Sequence, residues 1–96
     1  MRIHQGDVIL ESIKNIPVEA KYLRDGVVVR GEVTGHSHTI EKSKIYEKDN
    51  KIYVEVTEKQ PIIHPDHPAT VPIKIGNYSV RIQQEYFPDG SRQVKD

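Results

Sequence analysis

Lys44-Ile45-Tyr46-Glu47-Lys48-Asp49-Asn50-Lys51-Ile52-Tyr53-Val54-Glu55-Val56-Thr57 is the stretch that decides the fold. Two β-prone runs flank a polar loop, Lys48-Asp49-Asn50. In the second run Ile52, Val54 and Val56 share one face, and Tyr53, Glu55 and Thr57 share the other. A period of two, broken by turn formers, predicts a β-hairpin with one face buried.

The same pattern recurs on both sides. Toward the N-terminus, Gly6-Asp7 is a turn signal that launches a strand over Val8 to Ile13. Pro17 opens a second extended piece over Val18 to Leu23, and Pro17 and Asp25-Gly26 leave too little room between them for a stable helix. Arg24-Asp25-Gly26 predicts a hairpin turn, since Asp-Gly readily supplies positive φ. Val27-Val28-Val29-Arg30 is β-branched and continues as a strand through Glu32-Val33-Thr34 toward two histidines. Gly31 and Gly35 in that run suggest a bulge or a sharp bend.

Toward the C-terminus, Pro61, Pro65, Pro68 and Pro72 exclude a helix and predict a loop or edge segment. Val71 to Ile75 predicts a short strand ending at the turn Gly76-Asn77. The last clear strand runs from Tyr78 to Tyr86, with Tyr78, Val80 and Ile82 on one face. Pro88-Asp89-Gly90 predicts a further turn, and a polar tail follows from Ser91. Residues 1–96 thus read as a single all-β domain with a short polar C-terminal tail. The expected architecture is a small barrel or compressed sandwich of about seven to nine short antiparallel strands.

Composition narrows the function classes. Acidic and basic residues cancel at 14 each, which argues against a general nucleic-acid binder, whose affinity needs a basic excess. Cysteine is absent, so disulfides, thiolate catalysis and cysteine-bound zinc are excluded. The absence of disulfides suits a reducing cytoplasm, which is the expected compartment. No apolar run approaches the length of a membrane span, and the first residues carry no apolar leader segment.

The chemistry gathers on histidine. Four of the five histidines form two pairs: His36 and His38 in Gly35-His36-Ser37-His38, and His64 and His67 in His64-Pro65-Asp66-His67-Pro68. On an extended strand His36 and His38 point the same way, about 7 Å apart at Cα. Proline-stiffened backbone at the second pair lowers the entropic cost of holding ligands. Four imidazoles, or three with a carboxylate from Glu41 or Asp66, suit zinc, iron or nickel. A metal-bound water, with Glu41 or Asp66 as base, is the simplest catalytic use of such a set. The competing reading rests on parity. Counted from Val27, Val29 and Val33, His36 and His38 fall on the opposite face, with Arg30, Glu32 and Thr34. They then face solvent, unless a bulge at Gly35 reverses the register or a polar cavity lies on that side.

His36-x-His38 followed by Glu41 is similar to the first metal motif of cupins, small β-barrels with histidine and glutamate ligands. The spacing before the glutamate is short for that motif, and the second cupin motif is missing. Over most of its length the chain resembles a group of short, uncharacterised prokaryotic and phage-associated proteins. The matching stretches are Gly6-Asp7-Val8-Ile9-Leu10, the 31–38 segment, His64 with His67, Gly76-Asn77-Tyr78-Ser79-Val80 and Gln84-Glu85-Tyr86. That resemblance implies no activity.

The leading expectation is therefore a domain that binds a metal ion or small polar ligand through His36, His38, His64 and His67. One rival is a non-catalytic assembly module of viral or mobile-element origin, forming homo-oligomers through edge strands. A weaker rival is a small nucleic-acid-binding barrel, with Tyr22, Tyr46, Tyr53, Tyr78 and Tyr86 stacking bases beside Lys42, Lys44, Lys48 and Lys51.

Overall fold

The hairpin that decides the fold is present in the computed structural model, which describes residues 2–30, 36–82, 84–86 and 92–94. Strand β4 (Ser37–Lys48) turns through Asp49 and Asn50 into β5 (Lys51–Val56). Both turn residues take positive φ, 51° and 64°, the conformation a two-residue hairpin loop demands and one that Asp and Asn tolerate. Val54 and Val56 are fully buried and Ile52 partly so, as the alternation requires.

Four further strands complete one antiparallel sheet: β1 (Arg2–Gln5), β2 (Val8–Ile13), β3 (Lys21–Arg30) and β6 (Gly76–Ile82), in the order β1-β2-β6-β5-β4-β3. A separate two-stranded ladder joins β7 (Gln84–Tyr86) to β8 (Arg92–Val94). The all-β, antiparallel class is as expected. The closed barrel is not found: the sheet is open, and its six strands are fewer than the seven to nine anticipated. Strands counted separately from sequence turn out to be joined, and one short run is never laddered.

Gly26 is the clearest case of joining. It has φ 83°, as a turn glycine would, yet the chain does not reverse there. The positive φ is absorbed within β3, which slips register against β4 between Tyr22 and Arg24, between Asp25 and Val27, and again between Val27 and Val29. Bulges of this kind bend a strand and increase its twist. They also overturn the parity argument, because Val28 is the buried residue of the run, while Val27 and Val29 are only partly covered. The extended piece expected from Val18 begins only at Lys21, because Pro17 to Ala20 form a turn closed by Ala20 N–H donating to the Pro17 carbonyl, 3.0 Å.

Two other differences matter for the site. His38 lies near the start of the 12-residue β4, not at the end of the preceding strand. Val71 to Ile75 forms no strand; among the described residues its only sheet-like contact is an isolated bridge between Ile73 and Gln60. Gly76, with φ 156°, belongs to β6 and does not turn the chain. The glycine bulge anticipated at Gly31 or Gly35, with Glu32, Val33 and Thr34, and the Pro88-Asp89-Gly90 turn with Ser91 lie outside the described residues.

One core runs through the molecule. Val8 and Leu10 of β2, Val28 of β3, Ile40 and Ile45 of β4, and Val54 and Val56 of β5 belong to a single buried cluster. Residues near opposite ends of the strand order thus share a core, so the sheet must curl strongly. Ile62 and Ile73 enter the same cluster fully buried, from a segment outside the ladder. Each such burial contributes roughly 1.5–3 kcal/mol, and these two pegs fasten the proline-rich 61–75 segment to the sheet. No helix among the described residues is long and apolar enough to cross a membrane.

Candidate metal centre

The 61–75 segment carries His64 and His67, and its docking on β4 follows from one bridge. Thr39 N–H donates to the Ile63 carbonyl and Ile63 N–H to the Thr39 carbonyl, both at 2.9 Å. In an antiparallel bridge the flanking residues also oppose each other, so the pairing of 39 with 63 sets His38 opposite His64. Their ring centroids are 4.3 Å apart. Pro65 and Asp66 then reverse the chain, and His67 N–H reaches back to the His64 carbonyl at 3.4 Å. That reversal brings the His67 ring to 4.6 Å from His64 and 5.8 Å from His38, nearly parallel to the latter.

Side chains lock the arrangement. The Gln5 amide Nε2 donates to the carbonyls of Ile62, 2.8 Å, and Pro68, 3.1 Å, stitching together the two arms of the turn. Both its protons face acceptors, so the orientation of the amide is fixed. Its Oε1 must then accept from His38 Nδ1 at 2.9 Å, which puts a proton on His38 Nδ1. Gln60 acts similarly further along: Lys42 N–H donates to its Oε1 at 2.7 Å, and its Nε2 donates to the Lys42 carbonyl at 2.9 Å.

The result is a trio. His38, His64 and His67 each present a nitrogen, and the three nitrogens all lie within 4.8 Å of one another. His38 and His64 are buried and His67 is partly covered. The hydrogen bond at His38 Nδ1 sets the ring's orientation and leaves Nε2 as the atom a metal would take. His64 differs: its Nδ1 accepts the Asp66 backbone N–H at 3.0 Å. A neutral His64 therefore coordinates a metal only by giving up that bond, either through Nδ1 itself or through Nε2 with the proton moved to Nδ1.

The other residues expected at the site are not members of the trio. His36 is exposed and stands apart from the trio; its Nδ1 bonds Asp66 Oδ2 at 2.5 Å. Its ring centroid is still 6.0 Å from His64, so the pair caps the outer side of the cluster. The hydrogen bond from His36 holds the Asp66 carboxyl below the ordinary carboxylate range; desolvation opposes this, and the charges of His36, His64 and His67 add smaller contributions to the lowering. Glu41 is exposed on β4 and does not join the cluster. Thus of His36, His38 and Glu41, which carry the cupin-like pattern, only His38 belongs to the trio.

Two residues beside the trio escape sequence reasoning. Gln5 orients His38, and Asp7 is buried with Oδ1 3.9 Å from His38 Nε2. Their signal is faint: Gln5 follows Ile3 at a spacing of two, which places it on the same buried face.

The chain belongs to the family defined by a domain of unknown function, DUF8820, which it matches over residues 4–83. That span includes Gln5, Asp7 and all three histidines of the trio. No curated protein and no solved structure matches the chain.

Proposed function

We propose that this chain binds one divalent transition-metal ion, zinc, iron or nickel, through His38, His64 and His67. The observation that carries the reading is the convergence of three imidazole nitrogens within 4.8 Å of one another, with His38 already oriented by its hydrogen bond to Gln5. Zinc–nitrogen bonds of about 2.0–2.1 Å require the three donors to close in by side-chain rotation. His67, the least buried of the three, has the freedom to do so. Three neutral nitrogens favour zinc over harder cations such as magnesium or calcium. Iron and nickel accept the same donors.

The site reads as a clamp more than a catalytic centre. Glu41 is exposed and the Asp66 carboxyl is engaged by His36, so neither is poised beside the trio as a base. The assembly reading draws less support, because β1 is only four residues long and β3 is broken by register shifts. Short and bulged edges discourage strand addition. The base-stacking reading is weakened at Tyr78, which is buried with its hydroxyl donating to the Lys74 carbonyl at 2.8 Å. A cysteine-free chain remains compatible with the cytoplasm.

Elemental analysis of untagged protein, followed by melting of the metal-stripped chain with and without zinc, tests the proposal. Zinc at about a hundredfold excess over its Kd contributes about 2.7 kcal/mol. For a chain of this size that raises the melting temperature by on the order of 10 °C. Protein that carries no metal, and whose melting is unmoved by zinc, iron or nickel, contradicts it.

A further inference from the structure

One end of the core stays open. Val80 stands opposite Ile52 on one side and the buried Leu10 on the other, and Ile82 stands opposite the buried Val8. Residues directly opposite in a ladder share a face, so Ile52, Val80 and Ile82 all point inward. Each is nevertheless only partly covered. The bulged β3, separated from β6 by β5 and β4 in the sheet order, comes over them, and a cleft of about 410 Å3 is left between. Val28 and Val29 form its β3 wall. Ligand sites commonly run about 300–1,000 Å3, mostly apolar with a few placed polar groups, and this cleft is of that kind.

Its charged groups are of one sign. Arg24, Lys51 and Arg81 line it beside Asn50, and no carboxylate does. Glu47 shares the face of Ile52 but stands opposite Lys21 in the register. Arg24 is the cation the fold places. It stands opposite the buried Ile45 and is itself partly buried. Its Nε donates to the Val27 carbonyl at 2.8 Å and its Nη2 to the Val28 carbonyl at 3.4 Å. These bonds pin the guanidinium to the strand that walls the cleft and use two of its five N–H donors. Among the described residues no carboxylate pairs with it. Lys51 and Arg81 alternate with the inward residues, so they act at the margin, adding positive field.

An uncharged apolar ligand would strip water from Arg24 without replacing it, which is costly. A cation would be repelled, and a bare inorganic anion would leave the valines and isoleucines wet. We propose that this cleft binds a small organic carboxylate. Its hydrocarbon part lies on Val28, Ile52, Val80 and Ile82, and its head group lies on Arg24, whose remaining N–H groups serve the carboxylate oxygens. The site uses none of the histidine trio, so it stands or falls apart from the metal reading.

The test is an NMR titration of the full chain with octanoate. Octylamine and octanol supply the same chain without the anion, and acetate supplies the anion without the chain. Octanoate should shift the methyl signals of Val28, Ile52, Val80 and Ile82 and the Nε–H signal of Arg24, and the shifts should saturate. It should bind about tenfold or more tighter than octylamine, octanol or acetate. Arg24→Gln should weaken octanoate about tenfold and leave the weaker octanol binding unchanged. Lys51→Glu alters an exposed side chain; it should weaken octanoate less, with the loss fading at high salt. Should Arg24→Gln fail to fold, Lys51→Glu and the matched ligands carry the test. Octylamine or octanol binding as tightly as octanoate would overturn the proposal, since the cleft would then be an apolar hollow indifferent to charge. Shifts centred away from the cleft, a titration that does not saturate, or a folded Arg24→Gln chain with undiminished affinity would overturn it equally.

Discussion

The β4–β5 hairpin and the 61–75 segment sit on the same core but are held by different means. In the hairpin, backbone pairs with backbone from Ser43–Val56 down to Lys48–Lys51, and alternation alone decides which side chains go inward. Among the described residues, the 61–75 segment has only isolated bridges. It is fixed by two isoleucine pegs, by the amides of Gln5 and Gln60, and by a histidine pair set opposite through one bridge. A regular ladder repeats the same information at every second residue; a side-chain clamp depends on a few unrelated positions. The segment that carries the chemistry is therefore the one whose position depends on fewest residues, so single substitutions should separate the two regions.

Removing a peg should have the largest effect. Ile62→Ala and Ile45→Ala each delete a fully buried side chain, at a cost of about 2–5 kcal/mol. Denaturant melts should show similar losses. Hydrogen exchange should distinguish them: Ile62→Ala opens the 61–75 amides ahead of the sheet, whereas Ile45→Ala loosens the sheet with them. Equal opening across both regions in Ile62→Ala would mean that the segment is not separately fastened.

Gln5→Ala comes next. It leaves the Ile62 and Pro68 carbonyls and His38 Nδ1 without the amide that joins them. A buried polar group stripped of its partner costs about 1–3 kcal/mol, readable in the same melts. Zinc affinity should fall about 10–100-fold, the usual effect of losing the partner behind a ligating histidine. A fall in stability with unchanged affinity would assign Gln5 to the segment's anchorage alone.

The contrast between the regions also explains what could be read from the chain. The hairpin, β2 and β6 follow from alternation and turn residues, because each residue there reports on its neighbours. The site was half legible. The two histidine pairs are conspicuous, and Pro65 and Pro68 mark the turn that holds one of them. The division of labour between His36 and His38 depends on where β3 ends and β4 begins. Gly26 hides that boundary, since the same Asp-Gly that makes a tight turn elsewhere makes a bulge inside β3. The pairing of 39 with 63 is a contact between distant residues that no local spacing encodes, and so is the contact of Gln5 with His38.

A smaller effect concerns the outer cap. His36→Ala removes the hydrogen bond that holds the Asp66 carboxyl below its ordinary value. Its titration, followed by NMR, should move upward toward the ordinary range, while global stability changes little because both groups are exposed. The sign follows from a lowered folded-state value. In the parent the pair's contribution is complete above the ordinary carboxylate range and is lost as pH falls through Asp66's lowered value. In His36→Ala that pH dependence should shrink to what His64 and His67 still supply. An Asp66 titration identical in the two chains would show that the pair does not persist in solution.

The most direct test of the account is calorimetric zinc titration of four single alanine variants side by side, at His36, His38, His64 and His67. The trio predicts one ion per chain in the parent, binding weakened at least about tenfold by removal of a bonded donor at position 38, 64 or 67, and affinity close to the parent's in His36→Ala. Binding that survives His38→Ala but fails in His36→Ala would contradict it.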